Sequence, residues 1–172
     1  MSTIPVLAID PGAEQSGFVL YDIEHEPRVQ FTGVLGNDDI LREVITTHDA
    51  IVVIEGMSGY GATLGQSTID TLVWAGRFWQ QAVCSGLPVA RISRRDVKLH
   101  LCDSARARDA DMRDALITRF GPGKEKAIGT KANRGPLYGV KSHCWAALAL
   151  AVTYADLHAE SAKAPHSTPV QK

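Results

Sequence analysis

The chain has 172 residues, 45% of them hydrophobic and 22% charged, the balance of a soluble globular protein large enough to bury a core of its own. No apolar run nears the ~20 residues that span a bilayer, the opening Met1-Ser-Thr-Ile-Pro5 is not a secretory signal, and Cys84, Cys102 and Cys144 fit neither a zinc spacing nor a disulfide scaffold, so buried, reduced cysteines in a cytoplasmic protein are expected. The net charge of −1 hides a division, because residues 91–141 hold 13 Lys/Arg against 6 Asp/Glu while the remainder holds 5 against 13; a local positive field of this kind suits either a phosphate polymer or a merely solvated basic face.

Val6–Asp10 is an apolar run that ends in a carboxylate and then Pro11-Gly12, a buried strand stopped by a turn. Gly17–Tyr21 reads as a second strand, and the alternating Val29–Leu35 as a third. Short connections join these three into an antiparallel meander. Asn37 or Asp38 can cap a short helix carrying Ile40, Leu41, Val44 and Ile45. Ala50–Glu55 is a continuous apolar strand of the kind buried on both faces, and it too ends in a carboxylate followed by glycine. After a glycine-rich loop, Gly56–Gly65, the residues Ile69, Leu72, Val73, Gly76, Phe78 and Trp79 mark a long helix. Pro88–Ile92 is a fifth strand and Asp96–Leu101 a short helix. Asp109–Phe120 is a further helix with Met112, Leu116 and Ile117 on one face. Gly121–Lys141 is a long loop rich in Gly, Pro, Lys and Arg, of a length that is usually functional or disordered. Ser142–Ala159 forms the last helix. One domain over residues 1–159 is therefore expected, with a disordered tail at 160–172. This order predicts an α/β fold, a mixed sheet with helices on both faces.

The chemistry concentrates at the strand ends. If the strands of Asp10 and Glu55 are parallel neighbours, both carboxylates lie at one edge of the sheet. Burying a carboxylate is costly unless it is paired or bound to a metal. No lysine or arginine stands beside either acid in the sequence, so the pair reads as a site for a hard cation such as Mg²⁺ or Mn²⁺. Taken singly, Asp10 could instead cap the Pro-Gly turn, and Glu55 could be an exposed strand end.

Leu7-Ala-Ile-Asp-Pro-Gly-Ala-Glu-Gln-Ser-Gly17 resembles the opening motif of RuvC-type Holliday-junction resolvases, members of the RNase H-like superfamily, with phage-encoded RuvC-like endonucleases as the nearest look-alikes. Ile51–Glu55 is similar to the family's second motif, Ser93-Arg-Arg-Asp-Val-Lys98 to the segment before its DNA-contacting helix, and His143-Cys-Trp-Ala-Ala-Leu-Ala-Leu-Ala151 to its last helix. The resemblance spans residues 4 to about 156. It implies an RNase H-like mixed five-stranded sheet. It also implies an endonuclease that cuts branched DNA such as four-way junctions, a homodimer in the bacterial cytoplasm, no membrane and no nucleotide cofactor. The implied site holds two Mg²⁺ (or Mn²⁺) ions, with Asp10 bridging them, Glu55 on one and His143 on the other; one ion activates water and the other stabilises the leaving 3′ oxygen. The family usually places a second ligand one turn after the position of His143, where this chain has Ala146. Water or a DNA phosphate oxygen can fill the gap, Ala146 can be an engineered knockout, or the protein can bind junctions without cutting them well.

Charge and position nominate the DNA-binding residues: Arg94, Arg95 and Lys98 after the fifth strand, Arg106 and Arg108 before the next helix, and Lys124, Lys126, Lys131, Arg134 and Lys141 in the long loop. Such side chains position a backbone without reading its sequence. Tyr60 in the glycine-rich loop can stack on a base or wedge a junction. Trp74, Phe78, Trp79 and Trp145 read as core or dimer interface. Three rival functions remain open: an actin-like ATP-binding protein, for which the chain is short; a junction-binding protein with a degenerate site; and a nuclease of RNA–DNA hybrids.

Overall fold

A computed structural model describes residues 4–26, 28–45, 49–57 and 63–163. Among them a five-stranded sheet runs in the order β3-β2-β1-β4-β5. Its strands are β1 (Val6–Asp10), β2 (Gln15–Tyr21), β3 (Val29–Gly36), β4 (Ile51–Gly56) and β5 (Val89–Ser93). The first three form the expected antiparallel meander, with Asp10 opposite Gly17. β4 and β5 join in parallel, with Ile9 opposite Ile54 and Glu55 opposite Ile92. The C-terminal ends of β1, β4 and β5 therefore share one edge, the edge where parallel sheets gather ligands.

Side chains alternate across the sheet and seed two cores. Val6, Ala8, Val19 and Val53 face one side, against α3 (Arg94–Cys102), α4 (Asp109–Phe120) and the long α6 (Cys144–Lys163). Leu7, Ile9, Leu20, Val52 and Ile54 face the other, against Ile40, Ile45 and α2 (Gln66–Cys84). The first core is helix-rich because α6 is built almost wholly of small apolar residues: Ala147, Leu148, Ala149, Leu150, Ala151 and Val152 are all buried. Such a helix can lie close against the sheet.

Several boundaries differ from expectation for local reasons. Asn37 does not cap a helix with its side chain. The short α1 (Asn37–Asp39) starts after Gly36 without a side-chain cap and passes into a π-helical turn, Ile40–Val44, while the Asn37 side chain turns inward and is buried. The loop 121–141 is ordered rather than open. A short α5 (Lys124–Ala127) and a hairpin-like bridge between Gly129 and Arg134 fold it around buried Ala127, Leu137 and Val140. α6 continues to Lys163, into the stretch expected to be tail, and 164–172 lie outside the described residues. The cysteines are free, as expected, but only Cys144 is buried; Cys84 is exposed on α2.

Candidate active site

The turn after β1 is built before any chemistry enters. The Gly12 N–H donates to Ser16 Oγ (3.2 Å), Ser16 Oγ donates to Asn37 Oδ1 (2.6 Å), and Asn37 Nδ2 donates to the Gly12 carbonyl (2.9 Å). This closed set satisfies two buried polar side chains and fixes the Pro11-Gly12 turn. The Asp10 carboxylate at the strand end is thereby held in place, with 8% of the residue exposed.

Glu55 lies on the neighbouring strand. The carboxyls of Asp10 and Glu55 are close enough to share a hydrogen bond. Burial drives both acids up, Asp10 to about 6 and Glu55 to about 7; Arg94 offsets part of each rise, the hydrogen bond with Glu55 also lowers Asp10, and the charge of Asp10 raises Glu55 further. Two buried acids that hold protons near neutral pH are short of positive charge.

His143 reaches Asp10 from the other side, with Nδ1 3.4 Å from Asp10 Oδ2. Two features of the chain bring it there. Gly17, opposite Asp10 on β2, lies directly under His143: a Cβ at Gly17 would meet the His143 backbone carbonyl carbon at 2.6 Å and its Cβ at 2.7 Å. Only glycine admits that approach. Ser142, just before, holds a left-handed φ of 44°, a conformation that costs a non-glycine residue energy and is often found at functional sites. The glycine of the opening motif is thus the floor on which the histidine rests.

The expectation that no cation stands beside the acids is overturned. Arg94 Nη1 donates to Glu55 Oε1 (3.1 Å) and Oε2 (3.4 Å), and Nη2 donates to Asp109 Oδ1 (2.5 Å). Burial works against the charge of Arg94, but Glu55 and Asp109 outweigh it and hold the guanidinium charged. Ser93 fixes the start of α3, accepting from the Asp96 N–H (3.1 Å) and donating to its carboxylate (2.7 Å), so Arg94 leaves β5 straight toward Glu55. At the start of α4 the Asp111 carboxylate accepts from the Arg108 backbone N–H (2.7 Å) and from its guanidinium, which fixes the first turn and with it Asp109.

These residues line one cleft of about 490 Å³, together with Met57, Thr71, Arg113, Ser142, Trp145 and Ala146. Ala146 faces it with no donor atom to offer. Among the described residues, no three Asp, Glu, His or Cys side chains converge closely enough to enclose a metal ion by themselves. Trp145 packs against the first core, as expected, and also lines the cleft, with the Arg113 guanidinium 4.7 Å from its ring centroid. Arg113, Asp109 and Ser142 are site residues that sequence reasoning missed. Their positions depend on how α4 and α6 meet, and only the N-terminal place of Asp109 on its helix was readable beforehand.

The proposed DNA contacts divide into groups. Arg94, Arg95 and Lys98 line a shallow groove with Ala105, and Arg94 lines both this groove and the acidic cleft beside it. Lys124 lines a hollow with Asp109, Arg113, Ser142 and Trp145 beside the cleft. Arg108 is engaged with Asp111, and Arg134 stacks on Tyr138 with 4.9 Å to the ring centroid. Arg106 precedes α4 without joining either hollow, and Lys126, Lys131 and Lys141 lie along the ordered loop. Tyr60 lies outside the described residues. Trp74 packs on Phe78 in the second core, whereas Trp79 is 39% exposed.

Neither a protein-family model nor a curated protein sequence matches the chain. Solved structures do. RuvC of Thermus thermophilus matches with 20% identity and a TM-score of 0.65, over 91% of this chain and 96% of that one. T. thermophilus RuvC in complex with a Holliday-junction substrate matches with 20% identity and a TM-score of 0.67, over 92% and 97%. The chain has the RuvC fold, the RNase H-like mixed five-stranded sheet.

Proposed function

We propose that this chain is a structure-selective endonuclease that hydrolyses phosphodiester bonds in four-way junctions or other branched DNA with a divalent metal ion. The observation that carries the reading is the Asp10–Glu55 pair: two largely buried carboxyls at neighbouring parallel strand ends in one cleft, raised by burial, and flanked by His143 at the ligand-gathering edge of a RuvC fold. Such a pair is stable when ionised only beside added positive charge.

The residues fit one divalent ion. Asp10 and Glu55 would hold it with His143 beside them, water completing the shell, as suits Mg²⁺ with its preference for oxygen and retained waters; the imidazole also admits Mn²⁺. When bound, the ion would lower the pKa of a coordinated water and neutralise charge on the phosphoryl group. They do not fit a second ion equally, since Ala146 offers no atom. In the overall reaction, water adds to phosphorus, the bond to the 3′ oxygen breaks, the departing oxygen takes up a proton, and a 5′ phosphate remains. No protein nucleophile is needed. The chain's own part is to hold the phosphate in register, through Arg94, Arg95 and Lys98 in the groove and Lys124, Lys126, Lys131, Arg134 and Lys141 on the loop, with Arg106, Arg108 and Tyr60 as further contacts.

A four-way junction has two-fold symmetry, and paired cuts call for two sites, so a homodimer belongs to this reading. α2 supports it. Ile69, Val73 and Val83 recur on one exposed side of that helix, and a Cβ at Gly76 would meet nothing, which leaves room for a second helix to approach. A single-chain mass in solution would count against the dimer.

The test is cleavage of a synthetic four-way junction in Mg²⁺ and in Mn²⁺. Wild type is expected to cut. Asp10→Asn is expected to lose cutting by about a thousandfold or more while its junction Kd moves less than about threefold. Equal loss of binding would remove Asp10 from the chemistry. The absence of a donor at Ala146 favours one second reading, a junction-binding protein that does not cut; it wins if wild type binds junctions and cleaves none in either metal.

A further inference from the structure

Resting on the nuclease reading, we infer that Arg94, held in place by Asp109, supplies the second positive charge of the active site, where a two-ion site would carry a second metal. The guanidinium touches Glu55 through Nη1 and Asp109 through Nη2, so both of its terminal nitrogens are spoken for by carboxylates from different elements. The planar fork of arginine makes that arrangement rigid, as a flexible lysine would not. The Ser93 cap and the Asp111 carboxylate, which accepts from the Arg108 N–H, fix the helices from which Arg94 and Asp109 project.

Position gives the second strand of the argument. Arg94 is the last member of a row along the sheet edge: Asp10 as the last residue of β1, Glu55 near the end of β4, Arg94 directly after β5. It lines the acidic cleft and also the basic groove of Arg95 and Lys98. A phosphate backbone lying in that groove would bring a phosphoryl group to the guanidinium at the point where it meets Glu55. Arg94 still has N–H groups that neither carboxylate uses.

Charge closes the case. Ionised Asp10, Glu55 and Asp109 carry three negative charges, and Arg94 and Arg113 return two. A single divalent ion then already leaves the cleft with one positive charge before DNA arrives, and a second ion has no negative charge left to balance it. The face where a second ion would need support has Ala146 instead of an acid. The α6 side of the cleft offers no ligand at Ala146, and the β5 side offers a clamped arginine. During hydrolysis negative charge builds on the phosphoryl oxygens, and a fixed guanidinium in a confined cleft stabilises it without reorganising.

The test counts ions without DNA and without turnover. Mn²⁺ is titrated into the intact protein and free Mn²⁺ is followed by electron paramagnetic resonance. Wild type is expected to take up one ion per chain. Arg94→Ala, which frees Glu55 and Asp109 from their partner, is expected to take up a second. Two ions in wild type, or one in both proteins, overturns the inference. Cleavage under single-turnover conditions provides the other arm: Arg94→Gln should lose about 10²–10³-fold in rate, Arg94→Lys should recover part of it, and junction Kd in Ca²⁺ should move less than about fivefold for both. Equal rates for wild type and Arg94→Gln overturn the inference as well. Asp109→Asn changes an exposed side chain and keeps the fold; it should slow cleavage by about tenfold while the ion count stays at one, and an unchanged rate removes Asp109 as the anchor. Wild type that cuts no junction in either metal defeats the nuclease reading itself, a result separate from the ion count.

Discussion

Helix α6 meets carboxylates at both ends, and the two are treated in opposite ways. Toward its C-terminal end Asp156 accepts from Arg119 through both oxygens, at 2.6 Å each, and its Oδ2 lies 2.8 Å from His100 Nε2. Burial alone would raise that carboxyl, but Arg119 and His100 prevail and hold it below the ordinary range. At the N-terminal end Asp10 and Glu55 have a single arginine between them and rise instead. Both clusters are partly or wholly removed from water. One is satisfied by the protein and acts as structure; the other is left short of cation, which is how binding and catalytic sites are commonly poised.

Proton linkage separates the two ends most strongly. In EDTA, Asp10 and Glu55 have native pKa values above those of the unfolded chain, so the native state holds more protons between about pH 4 and 7. Stability should fall as pH rises through that window. Asp156 runs the other way: its contribution is present above the ordinary carboxyl range and is lost on acidification. Urea unfolding from pH 4 to 8 measures the sum, and Asp10→Asn with Glu55→Gln should flatten the falling limb. Added Mg²⁺ should raise Tm more at pH 8 than at pH 5; an equal rise at both would mean that the ion does not occupy this pair.

Next in size is Gly17→Ala. The new methyl would collide with the His143 backbone, and overpacking of this kind costs about 1–3 kcal/mol. Urea unfolding should register it, and cleavage should drop by about tenfold or more as His143 moves from Asp10. A full rate in a stable variant would show that His143 need not sit where it does. Asp156→Asn should cost about 1–2 kcal/mol, discounted because Arg119 is partly in solvent, and should leave cleavage unchanged. A large loss of rate there would erase the distinction between the two ends. The smallest effect belongs to Lys124→Ala with Lys126→Ala. Junction binding should weaken and the slope of log K against log salt should shrink by about 2; an unchanged slope takes α5 out of the interface.

Much of the site was readable because strand ends are readable. Asp10 and Glu55 close two apolar runs, and parallel pairing alone puts them together. The same rule applied to the third parallel strand would have exposed Arg94, since it directly follows β5; its basic character led instead to a reading as a DNA contact alone. Asp109 was hidden because its closeness depends on the angle at which α4 leaves the groove. Asn37 looked like a helix cap because its residue type favours that role, yet a buried partner at Ser16 outcompeted the helix end. Gly17 was visible as part of a motif, but its reason, a helix crossing overhead, lies more than a hundred residues away in the chain. The five strands, the meander and the helices on both faces followed from hydrophobic period and connection length; the ordering of residues 121–141 did not, because Ala127, Leu137 and Val140 are too sparse to announce a core.

That ordered loop bears on the thermodynamics of association. A loop that folds only on its ligand charges its ordering entropy to the binding step and shows a large negative heat-capacity change. Here the loop is already wrapped around its own apolar centre, so the conformational entropy was lost when the chain folded. Binding through its lysines would be dominated by counterion release, with a small heat-capacity change, and its speed would be set by encounter rather than by rearrangement.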